Sequence, residues 1–173
     1  MTPPPYAIGI DTSLTALREA DRLLQDLAAG LGLAGDVFGC THLVRDGDRP
    51  RVALSLAAAS EAVVEGARAR LTDQGHQVRD GVWDGAGRAV LYPGAAALTG
   101  TLTVAELVSR SAIRRVQVLG TADRPDPATP LVTREFVRPH WRDGELVLAA
   151  MPAVGGTLVP FEVPDPTPCC ADH

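Results

Sequence analysis

Leu14, Leu17, Ala20, Leu24, Leu27, Ala28 and Leu31 recur at α-helical spacing, while Arg18, Glu19, Asp21, Arg22 and Asp26 occupy the other side. No other feature constrains this chain as much. A one-sided helix of this kind must lay its apolar stripe on a second layer. The flanking residues say what that layer is. Tyr6 to Ile10, apolar and β-prone after three prolines, reads as a strand, and Asp11, Thr12 or Ser13 can cap the helix that follows. Gly30, Gly32 and Gly35 end it.

The same pattern then repeats. Val37 to Val44 is a predicted strand with Phe38, Cys40, His42 and Val44 on one face; Asp46-Gly47 signals a hairpin, and Val52 to Leu56 returns. A second helix is expected over Ser60 to Gln74, with Val63, Val64, Ala67 and Leu71 inward and Gly75 as its stop. Val78 to Trp83 and Arg88 to Tyr92 read as a further hairpin around Asp84 to Gly87. The predicted fold class is therefore α+β. Residues 1–93 form a ferredoxin-like βαββαβ core with one extra hairpin strand and an open sheet face. Residues 94–163 form a C-terminal extension of one helix plus an antiparallel β-meander. Its helix starts at the capping box Thr103-Val104-Ala105-Glu106, and a strand at Arg115 to Gly120 follows. The meander strands are Leu131 to Arg138, Glu145 to Met151 and Thr157 to Val163, turning at Asp143-Gly144 and Gly155-Gly156. Pro160 would put the last of them at an edge. Residues 164–173 are a Pro/Cys-rich tail.

Composition removes whole classes of function. The net charge of −5 and an aromatic content of 4% leave neither a basic field nor stacking rings, so no nucleic-acid partner is expected. All 16 basic residues are arginine, a bias that fits a high-GC bacterium. Without lysine there is no Schiff-base chemistry and no Walker A motif. No run is long enough for a membrane span, and the N-terminus lacks the regions of a signal peptide, so no membrane partner and a cytoplasmic location are expected.

Three cysteines in a reducing compartment argue against a disulfide framework. Each of them lies close to a histidine: Cys40 by His42, and Cys169 and Cys170 by His173. Cys40 and His42, at i and i+2 on a strand, would share a face and offer thiolate and imidazole to Zn²⁺, or to Cu(I), with the tail completing the shell. Burial of Cys40 as a small hydrophobe is the plainer explanation. A Cys/His nucleophile pair is a third. His140 and Trp141, beside the Asp143-Gly144 turn, are the candidate ligand-binding pair. The G-x-G-x-x-G, G-x-S-x-G and H-E-x-x-H fingerprints are absent.

Ala7-Ile8-Gly9-Ile10-Asp11-Thr12, Ala16-Leu17-Arg18-Glu19-Ala20 and Glu61-Ala62-Val63-Val64-Glu65-Gly66-Ala67 resemble the shell domain of bacterial microcompartments over residues 6 to 80 at most. The lysine of that family's hexamer edge and its glycine-rich pore loop have no counterpart. The resemblance implies self-assembly. Three functions are thus in view: a small ligand- or metal-binding accessory protein, a homo-oligomeric structural protein with a possible protein partner, and a small tailoring enzyme.

Overall fold

The computed structural model describes residues 3–33, 35–46, 49–82 and 86–164. Strand β1 (Tyr6–Ile10) leads to helix α1 (Leu17–Leu31), which begins three residues after Leu14, where the periodicity starts. Thr12 explains the delay. Its hydroxyl donates to the Val52 carbonyl at 2.6 Å, and the Val52 amide donates to the Leu14 carbonyl at 2.7 Å, so this segment runs beside a neighbouring strand. Gly32 closes α1 in the left-handed region, at φ +64°. Strands β2 (Phe38–Asp46) and β3 (Arg49–Ala58) form the expected hairpin, and α2 (Glu61–Asp73) follows with Gly75 past its end. The two helices cover one sheet face, burying Ile8, Ile10, Val52, Leu54 and Leu56 against Ala20, Leu24, Val64 and Leu71. Each of the larger aliphatic side chains contributes roughly 1.5–3 kcal/mol by leaving water.

The remaining strands overturn the ferredoxin-like core. They are β4 (Val78–Asp80), β5 (Arg88–Leu91), β6 (Thr101–Thr103), β7 (Arg115–Val118), β8 (Pro130–Val132), β9 (His140–Arg142), β10 (Glu145–Ala153) and β11 (Thr157–Pro160), with helix α3 (Val104–Arg110) after β6. Among the described residues a single mixed sheet of 11 strands runs in the order β4-β1-β3-β2-β5-β9-β10-β11-β8-β6, with β7 joined to β10. The expected hairpin of β4 with β5 does not form. Instead β4 pairs with β1, while β5 pairs with β2 and β9. Burial supplies the reason. Arg88, Ala89 and Val90 are buried on both faces of β5, which suits an interior strand with two neighbours. Arg79 and Asp80 of β4 are exposed charges of the kind that blunt a sheet edge.

The antiparallel meander is also corrected. The turns at Asp143-Gly144 and Gly155-Gly156 form, but the strand that enters the first is β9 (His140–Arg142) and not Leu131 to Arg138; β11 pairs with β8 in parallel, and β10 with β7 in parallel. The strand expected over Leu131 to Arg138 is confined to Pro130–Val132. β11 lies between β10 and β8, not at an edge; Pro160 sits at its last position, beyond the Leu158 to Leu131 pairing. Val147 pairs with both β9 and β7, and Ala150 with both β7 and β11, so β9 and β11 share one edge of β10 end to end. The sheet face opposite α1 and α2, expected to be open, is largely occupied. Phe38, Cys40, Ala57 and Ala89 join Leu107, Ile113, Leu131, Leu146 and Leu148 in one core. The capping box forms as expected: the Thr103 hydroxyl accepts from the Glu106 amide at 3.1 Å, and the Glu106 carboxylate accepts from the Thr103 amide at 2.9 Å. Among the described residues no helix is long and apolar enough to cross a membrane.

Candidate functional site

Strand alternation builds a hollow on the second face. In β3 the residues facing α1 and α2 are Leu54 and Leu56, while those facing the other way are Ala53, Ser55 and Ala57. Ser55 is paired with Gly9 on one side and Cys40 on the other, and Cys40 is paired with Ala89. A glycine and three small side chains in a row across four strands leave the centre of the sheet low. A cleft of about 560 Å³ lies over it.

Phe38, Cys40, His42, Ser55, Ala57, Gly87 and Trp141 line it, together with Pro3 to Ala7 and with Glu61, Val64, Glu65 and Arg68 of α2. Trp141 stands against Phe38, ring centroids 5.4 Å apart and planes tilted by 50°. Arg68 is held at the mouth by Glu65 at 3.1 Å and Asp80 at 2.5 Å. On the floor, His42 Nε2 and Ser55 Oγ share a hydrogen bond of 2.8 Å; the residues are 3% and 2% exposed. Gly87 makes room for this pair. A Cβ there would stand 2.7 Å from both Cys40 Cβ and His42 Cε1, so only glycine lets the backbone approach the imidazole so closely.

A second feature lies on the helix side of the same strands. Thr41, Arg88 and His140 are register neighbours across β2, β5 and β9. Arg88 is 5% exposed, and its guanidinium grips Asp21 of α1, itself 5% exposed, in a bidentate pair. It also donates to both carboxylate oxygens of Glu162, in one case at 2.8 Å from Nε to Oε2, and to Thr41 Oγ1 at 3.2 Å. Arg138 Nε reaches Asp21 Oδ2 at 3.0 Å. Burial opposes the Arg88 charge, yet its bonds to Glu162 and Asp21 hold its pKa above the ordinary arginine value. Burial pushes the His140 imidazole down, Glu162 partly opposing this while Arg88 and Arg142 add to it.

The structure thus gathers Cys40, His42 and Trp141 around one cleft and separates His140 from Trp141. Successive residues of a strand face opposite sides, so His140 lies beside Arg88 and Glu162 instead. Cys40 and His42 share a face as expected. Cys169, Cys170 and His173, the other expected metal ligands, lie outside the described residues. Among the described residues no group of three or more His, Cys, Asp or Glu side chains is placed to hold a metal ion. Sequence reasoning missed Ser55, Asp21, Arg88, Arg138 and Glu162. Ser55 carried a weak signal, a hydroxyl alternating with alanines in an apolar strand. Comparison with protein-family models, curated proteins and solved structures gives no match.

Proposed function

We propose that this protein binds a small, largely apolar molecule bearing one hydrogen-bonding group, in the cleft floored by β2 and β3. The observation that carries the reading is a cleft of about 560 Å³ with mostly apolar walls and one buried polar pair, His42 and Ser55, at its floor. Ligand sites have this make-up: apolar bulk for affinity, a few convergent polar groups for orientation. Trp141 and Phe38 supply flat aromatic walls, which favours a ring-bearing ligand. The test is a ligand-observed NMR screen of one- and two-ring alcohols, ketones and carboxylic acids against the wild type and Ala57→Phe, whose ring would fill the cleft. Hits are expected on the wild type and not on the variant. Hits that persist on a folded Ala57→Phe protein, or no member binding more tightly than about 1 mM, would refute the reading.

Metal binding is the second reading, favoured by Cys40 and His42 standing two residues apart on one strand face. Zn²⁺ or Cu(I) would take thiolate and imidazole there, further ligands coming from outside the described residues. Elemental analysis of protein purified without chelator checks it. Because structural zinc binds with about 10 kcal/mol or more, less than about 0.1 equivalent of either metal rules the site out.

A further inference from the structure

We propose that Ser55 is an acyl-accepting nucleophile, that His42 is its general base, and that the cleft hydrolyses small apolar carboxylic esters. This rests on the reading of the cleft as a small-molecule site and adds a reaction to it. The Ser55 hydroxyl lies 2.8 Å from His42 Nε2, within the reach that proton transfer from a nucleophile to its base requires. A serine in the middle of a central strand needs a partner for its hydroxyl, and here that partner is a group able to take its proton. Its cross-strand neighbours, Gly9 and Cys40, are small, and Ser55, although 2% exposed, is among the residues that line the cleft. A side chain at position 87 would collide with the imidazole, since a Cβ there would stand 2.7 Å from His42 Cε1, so Gly87 keeps the ring's place open. Phe38, Ala57 and Trp141 would face the acyl or alkoxy group, which sets the apolar substrate class.

The chemistry closes without any further reactant but water. Ser55 Oγ bonds to the ester carbonyl carbon as its proton passes to His42 Nε2. The tetrahedral adduct breaks its bond to the alkoxy oxygen, which takes that proton and departs as the alcohol. Water then adds to the acyl carbon while His42 accepts its proton. The Ser55 oxygen leaves, regains the proton, and the carboxylic acid is released.

Three measurements on the full chain decide the matter: the rate of p-nitrophenyl butyrate hydrolysis, the adduct formed with diisopropyl fluorophosphate, and the binding of butyrophenone, a ketone of similar shape that cannot be cleaved. The expected result is a single phosphoryl adduct mapped to Ser55, and hydrolysis that falls at least about 100-fold in both Ser55→Ala and His42→Gln. The near-ultraviolet circular dichroism and melting temperature of Ser55→Ala should match those of the wild type, which shows that the variant is folded. If butyrophenone binds the wild type but no adduct forms at Ser55, or Ser55→Ala keeps its rate, the nucleophile is refuted while the cleft stands. Activity that survives Ser55→Ala but is abolished by iodoacetamide at Cys40 overturns it in the same way. If butyrophenone does not bind and no adduct forms, the cleft reading fails together with the inference.

Discussion

Replacing Arg88 by methionine should destabilise the protein by about 3 kcal/mol. The figure follows from what the guanidinium leaves behind. Glu162, with its side chain 31% exposed, can return to water when its partner goes, so that half of the loss is small. Asp21 cannot: it is 5% exposed and would keep the contact with Arg138 but lose its bidentate partner. Removing one member of a buried ion pair costs roughly 3–5 kcal/mol, mostly because a charge is left without compensation, and the surviving Arg138 contact puts this case at the low end. Urea unfolding followed by circular dichroism at pH 7 measures it. With a slope of about 1–3 kcal/mol per molar, the midpoint should fall by at least about 1 M. The companion variant Asp21→Leu removes the stranded carboxylate. Combined with Arg88→Met it should recover much of the loss, giving a coupling energy above about 1.5 kcal/mol in the double-mutant cycle. A single-variant cost below about 1 kcal/mol, or strictly additive effects, would show that the network behaves like a surface pair and would refute the reasoning.

The pH dependence of stability should carry a signature of His140. Its folded pKa lies below the ordinary 6.5, so the unfolded chain binds more protons between those two values. Stability is therefore full above about pH 6.5 and declines as pH falls through that value toward the folded pKa; His140→Phe should flatten the decline between pH 7 and 5 in thermal melts. Thr103→Ala removes the side-chain acceptor of the α3 capping box and should cost about 0.5–2 kcal/mol by chemical denaturation. Gly94 sits at φ +82°, and a Cβ there would stand 2.0 Å from the Arg110 carbonyl oxygen, a backbone atom. Gly94→Ala should thus destabilise by more than about 1 kcal/mol, lowering the melting temperature while Gly30→Ala, in open space, does not.

Local rules read the span of α2, the glycine stops of α1 and α2 and the capping box of α3, because periodicity and turn chemistry act within a few residues of where they are written; they misread the N-cap of α1, which is Ala16 and not Asp11, Thr12 or Ser13, and placed Val63 inward on α2 where it is 37% exposed. The hairpins at Asp143-Gly144 and Gly155-Gly156 were legible for the same reason. Strand partnership was not. The proximity of β4 and β5 along the chain suggested a hairpin, but the choice rests on which strand can be buried on both faces, and that depends on residues far away. The parallel pairs of β7 with β10 and β8 with β11 have no local signature at all. In the cleft, the two-residue spacing of Cys40 and His42 correctly put both on one face. Ser55 gained significance only from the register between β2 and β3, which brings its hydroxyl to the imidazole. His140 and Trp141 were paired by adjacency, where strand geometry makes adjacency a reason for separation.

The junction between β5 and β9 also has a consequence for the chain as it is made. One register pair, Arg88 with His140, and the hydrogen bonds Ala89 N to Pro139 O at 2.8 Å and Trp141 N to Gly87 O at 3.0 Å join the sheet there. About 50 residues separate Leu91 from Arg142. At synthesis rates of about 5–20 residues per second, β5 has existed for roughly 3 to 10 s before its second neighbour is polymerised. From its emergence out of the ribosome until β9 emerges, a delay of the same length, its outer row of backbone amides and carbonyls faces the crowded surroundings, as does Arg88, whose Glu162 partner emerges later still. Chaperone capture during translation is therefore expected at this strand ahead of the early-paired β1 and β3.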